Sequence, residues 1–422
     1  MAVALAVAGC AGSGSGSGSG TSSAAPSGPR TLTVWLMNGS APATLTDALH
    51  KKFQETHKDV TVKYEVQQWN GIQQKLTTAL SGNDAPDVIE IGNTQAPKFA
   101  SEGVLADLTA STGDFNGANW LSSLKDSGNW DGKQYAIPFY AANREILYRK
   151  DMFAEAGIAA PPTSRQEWLD AITKLKAKFG SDPNFQALYL PGQNWYTLLS
   201  FIYDEGGDIA KKDGTKFTAT LDSAEAKKGL EFYKQLIDAS GTKAPKDADE
   251  QTPEQAGIYG GGKVAMIVAL PWEVATAAKS DPTIKDKTSA FPIPSKDAGK
   301  TAPVFQGGSN LAIPANSKDQ DLAKDYLKLI STDEYQGQFA KAGMIPGTSK
   351  DVSALQADPV NAAMAKASTN GKAVPATPGW ATIEAGQNPI KDMLTAYLTG
   401  AKTIDAATSD ANAALNKAFS GS

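Results

Sequence analysis

The chain has 422 residues, of which 41% are hydrophobic and 20% charged, which is typical of a globular protein with room for two domains. The net charge of −5 excludes a general attraction to nucleic acid, so we expect no nucleic-acid partner. One cysteine and two histidines are too few for a disulfide framework or a cysteine-rich metal centre, and we expect no metal and no cofactor.

The first thirty residues have the composition of an export signal followed by a linker. Met1–Gly9 is short and apolar and leads directly into Cys10, which resembles the end of a bacterial lipoprotein signal peptide. The Gly/Ser-rich stretch that follows is typical of a flexible tether. We therefore expect residues 1–30 to be a signal remnant and tether, with Cys10 carrying a lipid anchor in the cell membrane of a Gram-positive type of cell.

Strands and helices alternate in the first part of the folded body. Segments of strand length are separated by segments with apolar residues at helical spacing. In chain order they are the strand Thr31–Leu36, the helix Thr44–Thr56, the strand Val60–Val66, a helix from Ile72 to Leu80 and the strand Asp87–Ile91. This β-α-β-α-β order predicts a parallel sheet with right-handed crossovers.

Polar or aromatic residues follow each of these three strands. Asn38 follows the first strand, Gln68 and Trp69 follow the second, and Asn93 and Thr94 follow the third. The carboxyl ends of parallel strands meet at one edge of a sheet, where open α/β folds bind ligands. We therefore expect these five residues to contribute to one binding site.

A continuous apolar run lies within Gly260–Glu273, which reads GGGKVAMIVALPWE. Val264–Leu270 has strand length and no polar alternation, which predicts a strand buried on both faces in a parallel sheet. Pro271 ends this strand, so Trp272 and Glu273 should lie just past a carboxyl end of the sheet. The glycines precede a strand, whereas those of a P-loop follow one, so we expect no nucleotide site here.

Several longer segments occur together in a characteristic order. They are TLTVWLMNGS, APDVIEIGN, GVLADLT, YAIPFYAANREILYRKDMFAEAGI, PPTSRQEWLDAITKL, GGGKVAMIVALPWE, FQGGSNLAIPANSKDQDLAKDYLKLI and GMIPG. With this ordered set the chain resembles the solute-binding proteins of carbohydrate ABC importers, the family that includes maltose-binding protein. The resemblance extends over nearly all of residues 31–422.

The resemblance implies an α/β fold of the periplasmic-binding-protein type, with two α/β lobes, a hinge and an interlobe cleft. Lobe 1 would take residues 31–137 and 272–320, and lobe 2 residues 138–271 and 321–422. The chain would be an extracytoplasmic monomer that captures a di- or oligosaccharide without catalysing a reaction. It would then deliver the sugar to the transmembrane subunits of an ABC permease.

A sugar ring has an apolar C–H face on which aromatic rings stack, and a rim of hydroxyls that amides and carboxylates bind. Stacking is favoured for Trp195 and Trp272, whereas stacking and core packing both stay open for Trp69 and Trp380. The resemblance adds Tyr140 and Asn143 to the site. The full set of expected substrate-binding residues is Asn38, Gln68, Trp69, Asn93, Thr94, Tyr140, Asn143, Trp195, Trp272, Glu273, Gly308, Ser309, Asn310, Met344 and Trp380.

Two other classes of surface protein stay open on the sequence alone. A glycoside hydrolase would use two carboxylates at a set separation, and the chain has 45 Asp and Glu residues from which such a pair could come. An adhesin would have no need of aromatic and amide groups at matching strand ends. The coincidence of those groups therefore favours a binding protein.

Overall fold

The computed structural model describes residues 28–214, 216–350 and 352–420, so Cys10 and most of the predicted tether lie outside the described residues. The strands are β1 (Arg30–Met37), β2 (Val60–Gln67), β3 (Val88–Gly92), β4 (Asn129–Trp130), β5 (Lys133–Gln134), β6 (Ala136–Asn143), β7 (Glu145–Arg149), β8 (Ala210–Asp213), β9 (Lys216–Ala219), β10 (Met266–Ala269), β11 (Thr288–Phe291), β12 (Val304–Ala312), β13 (Ile345–Pro346) and β14 (Gly371–Lys372).

Helices cover these strands on both sides. They are α1 (Ala43–Thr56), α2 (Ile72–Leu80), α3 (Ala96–Ser101), α4 (Ser122–Ser127), α5 (Lys150–Glu155), α6 (Arg165–Phe179), α7 (Trp195–Asp204), α8 (Ala224–Ser240), α9 (Gln255–Gly260), α10 (Glu273–Ala277), α11 (Ile284–Lys287), α12 (Gln320–Ile330), α13 (Asp333–Lys341), α14 (Pro359–Ser368), α15 (Pro378–Ala385), α16 (Pro389–Leu398) and α17 (Ile404–Ser420). Within the described parts of the chain, none of them is long and apolar enough to cross a membrane.

The sheet of the first lobe confirms the predicted β-α-β-α-β arrangement. Strand β1 pairs in parallel with β2 on one side and with β3 on the other. The sheet continues through β12, β6 and β13, giving the order β2-β1-β3-β12-β6-β13. Leu32, Val34 and Leu36 are fully buried because they share one face of β1, which packs on helices α1 and α12.

The apolar run of the second lobe forms a buried strand, but its pairing differs from the prediction. Strand β10 pairs antiparallel with β7, which also pairs antiparallel with β11. Parallel bridges join Val264 to Gln186 and Ile267 to Tyr189 on the other side. The prediction of parallel pairing was therefore wrong for the main partner of β10, since β10 and β7 run antiparallel. A continuous apolar run indicates that a strand is buried on both faces. An antiparallel strand that is covered on both faces has the same pattern, so the run does not determine the direction of pairing.

The chain first passes between the lobes at Arg144. Asn143, the last residue of β6, pairs with Gln306 in the sheet of the first lobe. Glu145, the first residue of β7, pairs with Ala269 in the sheet of the second lobe. One extended segment therefore contributes a strand to each sheet.

Strand β12 makes the second passage. Its first residues, Val304 and Phe305, pack in the core of the second lobe, whereas Leu311 near its end packs in the core of the first lobe. A third passage follows β13, because Ile345 pairs with Ala141 of β6 while Ala367 in α14 packs in the second-lobe core. The two lobes are thus joined at three places within the described residues.

These passages do not fall at the predicted lobe boundaries. Residues 272–303 belong with the second lobe, since Ile284 packs in its core and β11 pairs with β7. Residues 321–346 belong with the first lobe, since Tyr326 and Phe339 pack in its core. The boundaries predicted at 138, 272 and 321 are therefore displaced to Arg144, to β12 and to the segment after β13. Consequently Trp272 lies on the second lobe rather than at a hinge.

Gly308 stands where β12 crosses beside β6, and its backbone requires glycine. Its φ is +145°, and a Cβ atom there would lie 2.2 Å from the carbonyl oxygen of Tyr140. A register shift follows directly between Ser309 and Asn310. The two crossing strands therefore approach each other more closely here than a side chain permits.

We predict that Gly308→Ala lowers the free energy of unfolding by about 3 kcal/mol, because it adds backbone strain and a clash with strand β6. Gly299→Ala is the matched control, since Gly299 also has positive φ but open space around its Cβ position. The control should lose only about 1 kcal/mol. Urea unfolding measures both, and equal losses would contradict the close-approach explanation.

Candidate functional site

A cavity of about 990 Å³ lies between the two lobes. The first lobe contributes the turn after β1, together with Trp69, Tyr140 and Met344. The second lobe contributes the segment from Pro271 to Thr276 and the beginning of α14. A cavity of this size is at the upper end of the range for small-molecule sites in proteins.

Two tryptophans face this cavity from opposite lobes. Trp69 follows β2 in the first lobe and is 41% exposed, and Trp272 follows β10 in the second lobe and is 45% exposed. Among the described residues, the large apolar side chains that stay exposed are these two and Val66. Burying an indole normally stabilises a fold, so two indoles left open on one cavity indicate a surface that an apolar ligand face covers.

A second cavity, of about 550 Å³, shares Trp69 with the first. Amide side chains line it, from Asn70, Gln73 and Gln74 around the start of α2 and from Gln95 just before α3. A Cβ atom at Gly92 would lie 3.7 Å from the Trp69 ring and 3.6 Å from the Gln95 amide carbon. The indole and the amide therefore lie together over the last residue of β3.

Thr94 connects the lobes at the edge of this second cavity. Its hydroxyl donates a hydrogen bond to the carboxylate of Glu384 in α15. Burial raises the pKa of Glu384, and the hydrogen bond from Thr94 opposes that rise. Thr94 therefore forms a hydrogen bond between the first lobe and helix α15 of the second lobe.

The predicted residues fall into three groups in the structure. Asn38, Trp69, Tyr140, Trp272 and Met344 line the larger cavity. Thr94 joins the lobes beside the smaller one. The remaining predicted residues lie on neither cavity wall: Gln68, Asn93, Asn143, Trp195, Glu273, Gly308, Ser309, Asn310 and Trp380.

Trp195 and Trp380 lie in the hydrophobic core of the second lobe. They are 2% and 0% exposed, and their ring centroids are 5.9 Å apart. Trp195 begins helix α7, and Trp380 lies within helix α15. The expectation that Trp195 stacks on a ligand is not supported by this arrangement, because its ring faces protein on all sides.

The buried amides connect the crossing strands to neighbouring elements. Asn93 donates its side-chain amide to the carbonyl of Gln306, and Asn143 donates to the carbonyl of Met364. Asn310 donates to the carbonyl of Leu124 and to the hydroxyl of Ser127. Their amide NH₂ groups donate to protein partners, so we assign these three residues to the frame of the site. Gln68, by contrast, is exposed to solvent.

Glu273 binds its own lobe. Its carboxylate accepts hydrogen bonds from the Leu270 backbone N–H and from the Gln255 side chain, each at 2.9 Å. Burial raises the pKa of Glu273 to about 7, although both hydrogen bonds oppose the rise. The carboxylate fixes the Leu270–Glu273 turn and so holds Trp272 at the mouth of the cavity.

Sequence reasoning missed a buried ion pair near the first crossing. Arg144 pairs with Glu250, and its guanidinium carbon lies 3.8 Å from the ring centroid of Tyr196. A cation placed over an aromatic ring is stabilised by the negative face of the ring. No local sequence motif marks this ion pair, because Glu250 lies far from Arg144 in the chain.

Charged residues on the larger cavity were also missed. The charged side chains among its described lining residues are Lys150, Lys285, Asp286 and Asp358. Asp358 caps α14 by accepting from the backbone N–H groups of Val360 and Asn361. The Asp358-Pro359 pair is a helix-start signal, but it does not indicate a site. The two positive and two negative charges leave the wall without a net charge.

The described residues contain no group of three or more His, Cys, Asp or Glu side chains that could hold a metal ion. The chemistry of the site therefore consists of two indoles, amide and hydroxyl groups, and balanced charges. Such a set binds a neutral polar molecule with apolar faces.

Known proteins resemble the chain over most of its length. The profile of the family described as "Bacterial extracellular solute-binding protein" matches residues 38–337. The chain is 44% identical over 378 residues to the diacetylchitobiose binding protein DasA of Streptomyces coelicolor. The alignment covers 89% of this chain and 87% of the relative. It is 26% identical over 339 residues to a mannitol-binding protein of Pseudomonas aeruginosa, covering 76% and 74% of the two chains.

Solved structures resemble the fold closely. The GacH receptor of Streptomyces glaucescens, described unliganded and with acarbose, superposes with a TM-score of 0.78 at 25% identity, covering 93% of this chain and 99% of that one. The sugar-binding protein MalE of Xanthomonas citri superposes with a TM-score of 0.80 at 22% identity, covering 93% and 98%. The second similarity supports the fold alone.

We predict that Glu273→Gln changes how stability depends on pH. Since the folded pKa of about 7 lies above the unfolded value, the folded protein keeps this proton between pH 4.5 and 7 while the unfolded chain loses it. The stability of the wild type relative to Glu273→Gln should therefore be highest near pH 4.5. It should fall by up to about 3 kcal/mol as the pH rises to 8.

Urea unfolding at pH 4.5, 5.5, 6.5 and 8 measures this difference. Glu155→Gln, at the exposed end of α5, is the control for the removal of a carboxylate charge from the same lobe. A constant difference between the wild type and Glu273→Gln would contradict the role assigned to the buried carboxyl group.

Proposed function

The chain belongs to the family of bacterial extracellular solute-binding proteins, and we propose on this basis that it captures diacetylchitobiose or a short oligomer of the same units between its lobes. It is a sugar-binding component of an ABC importer and not an enzyme. The hydrolase alternative is therefore set aside. The relative at 44% identity supports the choice of sugar.

The observation that carries the proposal is the pair of exposed indoles on one interlobe cavity. Each face of a pyranose ring presents C–H groups that stack on an aromatic ring. Trp69 and Trp272 belong to different lobes, so a sugar that stacks on both makes more contacts when the lobes are close together. A disaccharide supplies one ring for each indole.

The polar part of the wall matches a neutral amino sugar. Asn38, Asn361 and Thr276 offer amide and hydroxyl groups for sugar hydroxyls and for an acetamide group. Val274 and Val360 offer apolar surface for the acetamide methyl. The balanced charges of the wall favour a ligand that is itself uncharged. These features support an N-acetylated sugar over a charged one.

Binding proceeds as a shift between open and closed arrangements of two lobes. No covalent step is involved, because a ligand favours the closed form only through its better contacts there. The crossings at Arg144 and in β12 lie side by side, so they form a natural axis for such closure. The hydrogen bond from Thr94 to Glu384 would form and break with that movement.

We propose further that the protein works outside the cell as a monomer, held at the membrane by a lipid on Cys10. From there it would hand the sugar to the transmembrane subunits of the permease. The Val-Ala-Gly sequence before Cys10 and the Gly/Ser stretch after it support this part of the proposal. Radiolabelled palmitate incorporated into the wild type but not into Cys10→Ala would test the anchor.

A panel of sugars tests the ligand. We expect diacetylchitobiose to bind with a Kd of about 1 µM or tighter, equivalent to about −8 kcal/mol, in isothermal titration calorimetry. Cellobiose is the matched control because it has the same β-linked rings without acetamide groups. It should bind at least about 100-fold more weakly, since the groups that meet the acetamides would be left unpaired. Equal affinities, or tighter binding of another sugar, would contradict the choice of ligand.

We expect Trp272→Ala to weaken sugar binding at least about tenfold while leaving the unfolding temperature nearly unchanged, because its ring is already half exposed. Trp195→Ala is the contrasting variant and should lower the free energy of unfolding by about 3–5 kcal/mol, because its ring is buried. Calorimetric titration and thermal unfolding of both variants provide the measurement. Normal sugar affinity in Trp272→Ala would exclude the indole from the site.

A further inference from the structure

Glu90 is a buried carboxylate that the proposed site does not use directly. It lies in the middle of β3 and is fully buried. No lysine or arginine of the described residues forms an ion pair with it. An ionisable group without a charged partner is costly to bury, so its surroundings need an explanation.

Three donors from two different parts of the first lobe meet this carboxylate. The backbone N–H of Met37 donates to one oxygen at 2.8 Å. The hydroxyls of Ser40 and Ser309 donate to the other oxygen, at 2.6 Å and 2.5 Å. Both serines are fully buried, so these hydrogen bonds are shielded from water.

The donors connect the cavity wall to the crossing strand. Met37 ends β1, and Ser40 lies within the turn whose neighbours Asn38, Gly39 and Ala41 line the larger cavity. Ser309 lies in β12, directly after Gly308, where that strand crosses between the lobes. Glu90 is therefore the common partner of a ligand-facing turn and of a hinge strand.

We propose that Glu90 is a positioning residue for sugar binding, holding the turn after β1 in its ligand-ready form and linking it to the crossing strand β12. This inference rests on the proposed function, because its main readout is the affinity for sugar. Glu90 itself does not touch the ligand; it acts through Ser40 and the backbone of Met37.

A carboxylate suits this role better than a carboxamide of the same shape. Both of its oxygens accept, so it satisfies all three donors at once. Glutamine has one acceptor oxygen, so its NH₂ group would face the Met37 N–H in one orientation and the two serine hydroxyls in the other, and it can accept from none of them. Glu90→Gln therefore keeps the volume of the side chain but leaves at least one of the three donors without an acceptor.

The protonation of Glu90 gives a second readout. Burial raises the pKa of Glu90 to about 7, against the effect of its three hydrogen bonds. The titratable side chains that face it are Tyr64 on β2 and Tyr140 on β6, and both have a raised pKa, so they stay neutral near pH 7. Below pH 7 the protonated acid must donate from one oxygen, and it then no longer accepts from all three groups.

Asp87 provides a matched control on the same strand segment. Its buried carboxylate also joins distant parts of the first lobe, accepting from the Thr33 N–H at 2.8 Å and the Ser317 hydroxyl at 2.6 Å. It lies at the opposite end of β3 from the cavity and lines neither of the two site cavities. Asp87→Asn therefore disturbs a buried carboxylate of the same lobe without disturbing the turn.

The experiment compares the full chain, Glu90→Gln and Asp87→Asn by calorimetric titration with diacetylchitobiose at pH 6 and pH 8. At pH 8 we expect Glu90→Gln to bind at least tenfold more weakly than the wild type, and Asp87→Asn to stay within twofold. The wild type should bind more weakly at pH 6 than at pH 8, and Glu90→Gln should show a smaller change, because only the part due to Glu273, whose pKa is also raised to about 7, remains. Ser40→Ala, which removes one donor, should weaken binding in the same direction if Glu90→Gln does not fold.

Hydrogen exchange of the ligand-free proteins separates this inference from the proposed function. Amides of residues 37–41 should exchange at least tenfold faster in Glu90→Gln than in the wild type, and should be unchanged in Asp87→Asn. Unchanged exchange in Glu90→Gln, or wild-type affinity with the wild-type pH profile, would overturn the role of Glu90. If the wild type binds no sugar of the panel, but residues 37–41 still exchange faster in Glu90→Gln than in the wild type, only the proposed ligand is overturned.

Discussion

The pairing of β6 with β12 is the constraint on which the rest of the site depends. The chain crosses between the lobes directly after β6 and again within β12, and these two strands are hydrogen-bonded to each other. A paired ladder resists sliding, whereas a rotation about it keeps most of its hydrogen bonds. Beside this ladder, Trp69 of the first lobe and Trp272 of the second lobe line the same cavity, together with Tyr140 of β6. Gly308 allows β12 to approach β6 closely within this ladder, because it has no Cβ atom to collide with the Tyr140 carbonyl.

The parts of the fold that local patterns determine were predictable from the sequence. Strands β1, β2 and β3 alternate with helices at short range, and their order alone implies parallel pairing. Asn38, Trp69 and Trp272 could be expected at one edge of the sheets because each lies within three residues of the end of a strand, and all three line the larger cavity. Lobe boundaries could not be predicted in this way. Strand β11 pairs with β7, and helix α12 packs against β1, in each case with a partner from a distant part of the sequence, and such long-range contacts decide which lobe a segment joins.

The tryptophans show the same limit at the level of single side chains. Trp195 and Trp272 both follow polar or proline-containing segments, yet the first is buried and the second is open. The difference comes from Trp380 in α15 and Phe305 in β12, which pack on Trp195 from distant parts of the sequence. Glu90 could not be singled out for the same reason. Its partners Ser40 and Ser309 are 50 and 219 residues away, so no local spacing relates the three.

The equal numbers of lysine and aspartate side chains on the larger cavity have a consequence for the conditions under which the protein works. Coulombic attraction between a charged wall and a charged ligand weakens as ionic strength rises, because mobile ions screen it within about 10 Å at 0.1 M salt. A wall with balanced charges that receives an uncharged molecule has little such attraction to lose. Capture by stacking and hydrogen bonding should therefore proceed equally well in dilute and in saline surroundings. That property suits a receptor exposed to a medium whose salt content the cell does not control.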